Sequence, residues 1–194
     1  MARPLRTFVP GESLHIYNRG NNRMAIFHDD IDYESFLLTM RRSTQRNGIA
    51  VHGMVLMTTH FHLMVTPTAE HVLSWAMKRI DESYARYYNA KYKRTGTLWE
   101  GRYQAVPMKE EGQTIICLRY IDQNPVRARM VEEPGAYRWS SYRTHAFGNA
   151  PTWWVPHPSY LELGRNDEER QKAYRAICAE PLPLDAILRV RRRQ

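Results

Sequence analysis

Apolar and polar residues alternate along Leu14-His15-Ile16-Tyr17-Asn18-Arg19, the period-two pattern of a strand with one buried face. Gly20-Asn21-Asn22 supplies the turn that closes it. The period then lengthens to that of a helix. Asp30 is placed to cap a run to about Arg46 that carries Phe36, Leu37 and Met40 on one stripe, and Asn47-Gly48 stops it. Two apolar runs follow, Ile49 to Met57 and His60 to Thr66, with only Thr58-Thr59 between them and Pro67 behind. So short a link makes them a hairpin. Val72 to about Tyr92 is a long helix, with Leu73, Met77, Ile80 and Tyr84 stepping by three and four. Gly96 ends that region, Tyr103 to Met108 is a fourth strand, and Gln113 to Asn124 is a helix stopped by Pro125.

The order β-α-β-β-α-β, followed by a helix, predicts an α+β fold: a ferredoxin-like split β-α-β sheet, antiparallel and RRM-like, with one added helix. The first and third strands are central in that topology, so the strand bearing His60 and His62 sits mid-sheet. Beyond Ala128 the pattern is less regular. Trp139, Tyr142, Trp153-Trp154 and several prolines point to a segment wrapped against the domain, Asp167 to Ile177 to a short helix, and Arg189 to Gln194 to a mobile basic tail. No internal repeat is present.

Composition alters this picture mainly through charge. The 28 Lys and Arg residues exceed the 20 Asp and Glu by eight, a balance that favours a polyanionic partner, nucleic acid before acidic membrane. No run reaches the roughly 20 apolar residues of a membrane span, so no membrane partner is expected. The first ten residues hold no apolar signal segment. Cys117 and Cys178 lie far apart without CxxC spacing, which gives neither a disulfide framework nor a zinc site. The expected location is the reducing cytosol of a bacterium.

Candidate chemistry starts with His60-Phe61-His62. Residues two apart on a strand face the same way, so both imidazoles project together, as a divalent metal would require. A bare pair of this kind is more often two surface or hydrogen-bonded histidines than a metal site. Tyr120 and Asn124, four apart, share one helical face. Asn124 offers a hard carbonyl ligand suited to magnesium or manganese. Tyr120 offers a phenol, a nucleophile once a metal or base activates it. A third feature is the helix in which Tyr84, Tyr87, Tyr88 and Tyr92 alternate with Arg79, Arg86, Lys91, Lys93 and Arg94. Aromatics stack on unpaired bases while cations track phosphates, although Tyr84 also fits the core stripe. From Arg86 to Arg129 nine basic residues face four acidic ones, so the charge excess concentrates there.

Taken together these blocks resemble the single-tyrosine HUH transposases (IS200-like), and within them the REP-associated type. The resemblance spans about Ser13 to Tyr142. It rests on Tyr17-Asn18-Arg19-Gly20-Asn21, Met57-Thr58-Thr59-His60-Phe61-His62-Leu63 and Gly96-Thr97-Leu98-Trp99-Glu100-Gly101-Arg102-Tyr103, then on Arg119-Tyr120-Ile121 with Asn124-Pro125-Val126-Arg127-Ala128, and Tyr137-Arg138-Trp139-Ser140-Ser141. Five blocks in the right order carry far more than any one of them.

The resemblance implies a metal-dependent enzyme that nicks and transfers single-stranded DNA at hairpins. Tyr120 would form a 5′-phosphotyrosine link and free a 3′-hydroxyl. His60, His62 and Asn124 would hold Mg2+ or Mn2+. Arg79, Arg86, Tyr87, Tyr88, Lys91, Lys93, Arg94, Arg102 and Arg127 are the candidate DNA contacts. Residues 1–148 would be the catalytic domain and 149–194 an extension rather than a domain of its own. Relatives include dimers with shared sites and monomers, so a homodimer is compatible with the resemblance. One departure is the Thr58-Thr59 turn, where many relatives carry Pro-Asn. The rivals are a domesticated hairpin-binding protein without transposition, an RRM-like RNA-binding module, and a hydrolase using the histidine pair. No RNP1-like run supports the RRM, and no carboxylate metal motif supports the hydrolase.

Overall fold

The computed structural model describes residues 6–110 and 112–191. Its centre is a four-stranded antiparallel sheet: β1 (Leu14–Arg19), β2 (Ile49–Met57), β3 (His60–Pro67) and β4 (Gln104–Pro107), in the order β2-β3-β1-β4. Helices α1 (Asp30–Arg46) and α2 (Val72–Lys91) join the strands. This is the ferredoxin-like arrangement that the strand order predicts, with β1 and β3 central.

Strand alternation separates two faces. Leu14 and Ile16 of β1 and Phe61, Leu63 and Val65 of β3 point one way and are buried. They meet the apolar stripes of α1 and α2, where Phe36 lies 4.8 Å from Phe61 between ring centroids and 5.2 Å from Tyr84. His15, Tyr17, His60 and His62 point the other way. Tyr17 is directly opposite His62, and His15 opposite Met64.

That second face is covered by α3 (Gln113–Asp122) and by the chain beyond it: α4 (Asn124–Arg127), α5 (Tyr142–Phe147), α6 (Pro158–Leu161), α7 (Asp167–Ala179) and α8 (Leu184–Arg191). This segment also closes the β2 edge of the sheet. Leu56 N–H donates to Trp139 O, Ser141 N–H to Met54 O and Val155 N–H to Val51 O, each at 2.9 Å. An edge strand's unpaired groups are thereby satisfied. The covering also removes the open sheet surface on which an RRM stacks RNA bases.

Three local expectations need correction. The cap of α1 is Asp29, not Asp30; its side chain accepts from Asp32 N. Pro125 does not end the helical path but stands in the first turn of α4, where its missing N–H costs nothing. The basic end is helical as far as Arg191, because the buried Ala186 and Val190 give it an apolar stripe; residues 192–194 lie outside the described residues.

The Thr58-Thr59 turn is held by the loop after β1. Ile26 N–H donates to Thr58 O at 2.8 Å and Gly20 N–H to Thr59 O at 2.9 Å. Gly20 is required there, since a Cβ would stand 2.4 Å from Met24 O. The hairpin that presents the two histidines therefore sits on a second, independent support.

Candidate active site

The polar face of the sheet opens at one end into a cavity of about 790 Å³ whose walls include Tyr17, His60, His62, Tyr120, Asn124 and Arg127. Two central strands supply the histidines and Tyr17. Helix α3 lies across them and brings Tyr120 to a centroid distance of 5.7 Å from His62, edge on. His60 and His62 are 5.1 Å apart, also edge to face. The four residues expected to act together do share one site.

Both imidazoles are held by their Nδ1 atoms. Thr59 Oγ1 lies 3.0 Å from His60 Nδ1, and His15 Nε2 lies 2.9 Å from His62 Nδ1. Burial drives the His60 pKa down to about 4, helped by the Arg19 charge. Burial, then His15, His60 and Arg127, drive His62 well below its usual value, and burial alone takes His15 to about 3. These rings are neutral at physiological pH, the state in which imidazole ligates a metal.

Arg127 stacks its guanidinium 4.1 Å from the centre of the Tyr120 ring and donates to Tyr120 O at 2.6 Å. A cation thus stands beside the phenol and faces the cavity. Tyr17 is the second phenol in the same cavity, and its pKa is pushed up to about 12, mainly by burial. At the rim, the Arg19 side chain pairs with Glu100.

The cavity also meets the test for a cation. Asn124 is buried in its wall, and its Nδ2 has no hydrogen-bond partner among the described residues. The two ends of an amide are assigned from their contacts, so the side chain can turn its oxygen inward as a ligand. Among the described residues no three His, Cys, Asp or Glu side chains form a metal-binding group. The side chains of this cavity that could serve a cation as donors are two imidazoles and an amide.

Of the nine candidate DNA contacts, only Arg102 and Arg127 line this cavity. The others belong to α2 and the turn after it, over the opposite face of the sheet. Tyr88 is 2% exposed and donates to Ala25 O at 2.9 Å, so its ring has no face free for a base. Tyr87 and Tyr92 donate to Asp32, and Lys91 binds Asp29 and Asp32 at 2.7 Å. Arg94 lies over the Tyr88 ring. Arg79, Arg86 and Lys93 are exposed. Helical spacing cannot tell aromatics that stack on bases from aromatics that grip a buried carboxyl, and here the carboxyl of Asp32 takes most of them.

Sequence reasoning missed His15, Tyr17 as a site residue, and Thr59. The i, i+2 relation of His15 and Tyr17 was available. What it needed was the register that sets Tyr17 beside His62.

Residues 9–124 match the family model described as transposase, IS200 like. No curated protein sequence matches the chain. Among solved structures, a REP-associated tyrosine transposase bound to a REP hairpin superposes with a TM-score of 0.63 at 16% identity, over 81% of this chain and 93% of that one. A structure described as a putative transposase from Deinococcus radiodurans gives a TM-score of 0.44 at 19% identity, over 63% and 97%.

Proposed function

Since the chain belongs to the IS200-like transposase family, we propose that it nicks and rejoins single-stranded DNA beside a hairpin, with Tyr120 as the nucleophile. The observation that carries this is the convergence of Tyr120, His60 and His62 in one cavity. The Tyr120 oxygen attacks the scissile phosphorus. The bond from phosphorus to the 3′ oxygen breaks, a 3′-hydroxyl leaves with a proton, and the 5′-phosphate stays on the tyrosine. A second 3′-hydroxyl reverses the exchange and reseals the strand. One phosphodiester is traded for another, so no ATP is consumed.

His60, His62 and Asn124 are the residues that would hold Mg2+ or Mn2+, and a bound cation supplies charge to polarise the scissile phosphate. Arg127 steadies the Tyr120 ring by stacking and offers its guanidinium to the phosphate. Arg102 extends the basic wall, and the exposed Arg79, Arg86 and Lys93 add a wider field for the DNA backbone. Tyr120 and both histidines meet within one chain, so we read the site as complete in a monomer, acting in the cytosol. Residues 1–148 form the transposase domain in this reading, and 149–194 the extension that braces it.

The experiment compares two phenols in one cavity. Tyr120→Phe should abolish nicking of a hairpin oligonucleotide and the protein–DNA adduct that survives a denaturing gel. Tyr17→Phe should keep both. Mass spectrometry placing the DNA on Tyr17, or robust nicking by the Tyr120 variant, would overturn the assignment. Excess chelator should stop cleavage and leave hairpin binding largely intact.

A further inference from the structure

An imidazole that ligates a cation through one nitrogen must carry its proton on the other, and the partner of that second nitrogen fixes ring and tautomer together. In this chain both histidines turn Nδ1 toward the protein: His60 to Thr59 Oγ1 at 3.0 Å, His62 to His15 Nε2 at 2.9 Å. The nitrogen left for a cation is therefore Nε2 on each ring.

The His15–His62 contact is the more demanding of the two, because a neutral imidazole has one proton to share between two nitrogens. If His15 Nε2–H donates, the His62 proton must sit on Nε2, and the site is closed to a cation. If His62 Nδ1–H donates, Nε2 is open, and His15 keeps its own proton on Nδ1. Thr59 is less exacting, since a hydroxyl accepts or donates as needed.

We infer that His15 and Thr59 are positioning residues, the outer shell that holds His62 and His60 in the Nδ1–H form with Nε2 open to the cation. The inference rests on the metal reading given above. His15 suits the task by its place. It stands on central strand β1, diagonal to His62 across the β1–β3 pair, and is 1% exposed. The two rings lie 5.0 Å apart between centroids at 24°, edge to edge and nearly coplanar, so the hydrogen bond sets the His62 plane. Thr59 gives the Thr58-Thr59 turn a chemical role, since its hydroxyl can accept the His60 Nδ1–H bond.

The test is Mn2+ affinity of the full chain without DNA, by titration calorimetry, so that it is read apart from cleavage. His15→Leu should bind Mn2+ about 10–100-fold more weakly, the usual loss when an outer-shell partner goes. His15→Gln, whose Oε1 can accept from Nδ1–H, should recover most of it. Thr59→Val should weaken binding and Thr59→Asn restore it. In the wild type, 15N imidazole shifts with saturating Mg2+ should report His62 as the Nδ1–H tautomer, a measurement that holds even if the Leu variant fails to fold. Wild-type affinity in a folded His15→Leu, or His62 found as Nε2–H with Mg2+ bound, overturns the outer shell while leaving the metal site standing. No Mn2+ binding by the wild type, with His60→Ala indistinguishable from it, overturns both.

Discussion

The two faces of the sheet solve opposite problems. On the face toward α1 and α2, Leu14, Ile16, Phe61, Leu63 and Val65 build a dry apolar layer. On the face toward α3, the same two strands present His15, Tyr17, His60 and His62, with a buried polar network beside them. Asp122 is fully buried, two residues beyond Tyr120. It accepts from Ser141 Oγ at 2.6 Å, His145 Nδ1 at 2.7 Å and Tyr174 Oη at 2.8 Å. Three donors from α5, α7 and the turn before α5 thus converge on α3, the helix that carries Tyr120. One face is held by area removed from water, which is tolerant of detail. The other is held by directed bonds, and its failure modes differ: losing one partner strands several others. The tautomers and the nucleophile proposed above would sit on the face whose bonds can fix them.

The largest expected effect breaks the polar face at its hub. Asp122→Ala leaves His145, Ser141 and Tyr174 each short of a partner in a buried setting. The destabilisation should be about 3–5 kcal/mol, as much as emptying the apolar face with Leu63→Ala, for which about 2–5 kcal/mol is usual. Urea denaturation measures both. A loss below about 1 kcal/mol for Asp122→Ala would mean that burial alone fastens α5 and α7 to α3, and the contrast between the faces would fall.

A smaller effect sharpens the contrast at the sheet–α3 seam. A Cβ on Gly53 would stand 2.6 Å from Leu118 Cδ2 and 3.2 Å from Ser141 Oγ. Leu118 is fully buried on α3, so its methyl has little room to retreat. Gly53→Ala should cost about 1–2 kcal/mol as overpacking. By shifting the helix that carries Tyr120 it should also slow nicking by on the order of 10-fold. Adding Leu118→Ala should return much of the rate by making space. If the double variant is as slow as the single one, α3 is not set by this contact.

The apolar face was legible in the sequence because its signal is local. Period-two alternation around Phe61 and the three-and-four stepping of Leu73, Met77, Ile80 and Tyr84 each follow from a few neighbouring residues. Strand order then placed His60 and His62 mid-sheet, and helical spacing put Tyr120 on one face with Asn124. What stayed hidden depends on distant partners. Tyr87, Lys91 and Tyr92 have the spacing of a base-stacking helix, but Asp32, which they grip, lies 55 to 60 residues away. His15 looked like an ordinary polar position of a strand until the register set it beside His62. The basic end of the chain hid the buried Ala186 and Val190, because four arginines dominate the pattern around them.

The smallest effect concerns Asp81, a half-buried acid on the side of the sheet that α1 and α2 cover. Asp81 on α2 accepts from Asn18 Nδ2 at 3.2 Å through Oδ2, while Oδ1 is shut from solvent with no partner among the described residues. Where Asp122 has three donors, Asp81 has one. Burial, only partly opposed by Asn18, raises its pKa to about 8. The folded protein therefore holds a proton that the unfolded chain, with a carboxyl near its ordinary 3.8, releases. A raised pKa contributes stability that is fully present below the unfolded value and is lost as pH climbs toward the folded one. At neutral pH the wild type thus bears a cost that a neutral amide would not. Asp81→Asn keeps an oxygen for Asn18 and should be near-neutral at pH 4. It should gain on the wild type steadily from pH 4 to pH 8, seen as a Tm difference that widens with pH. A gain that is flat across that range, or a loss at pH 8, would show that Asp81 is satisfied as an ion, as the buried Asp32 on the same side of the sheet is by Lys91, Tyr87 and Tyr92.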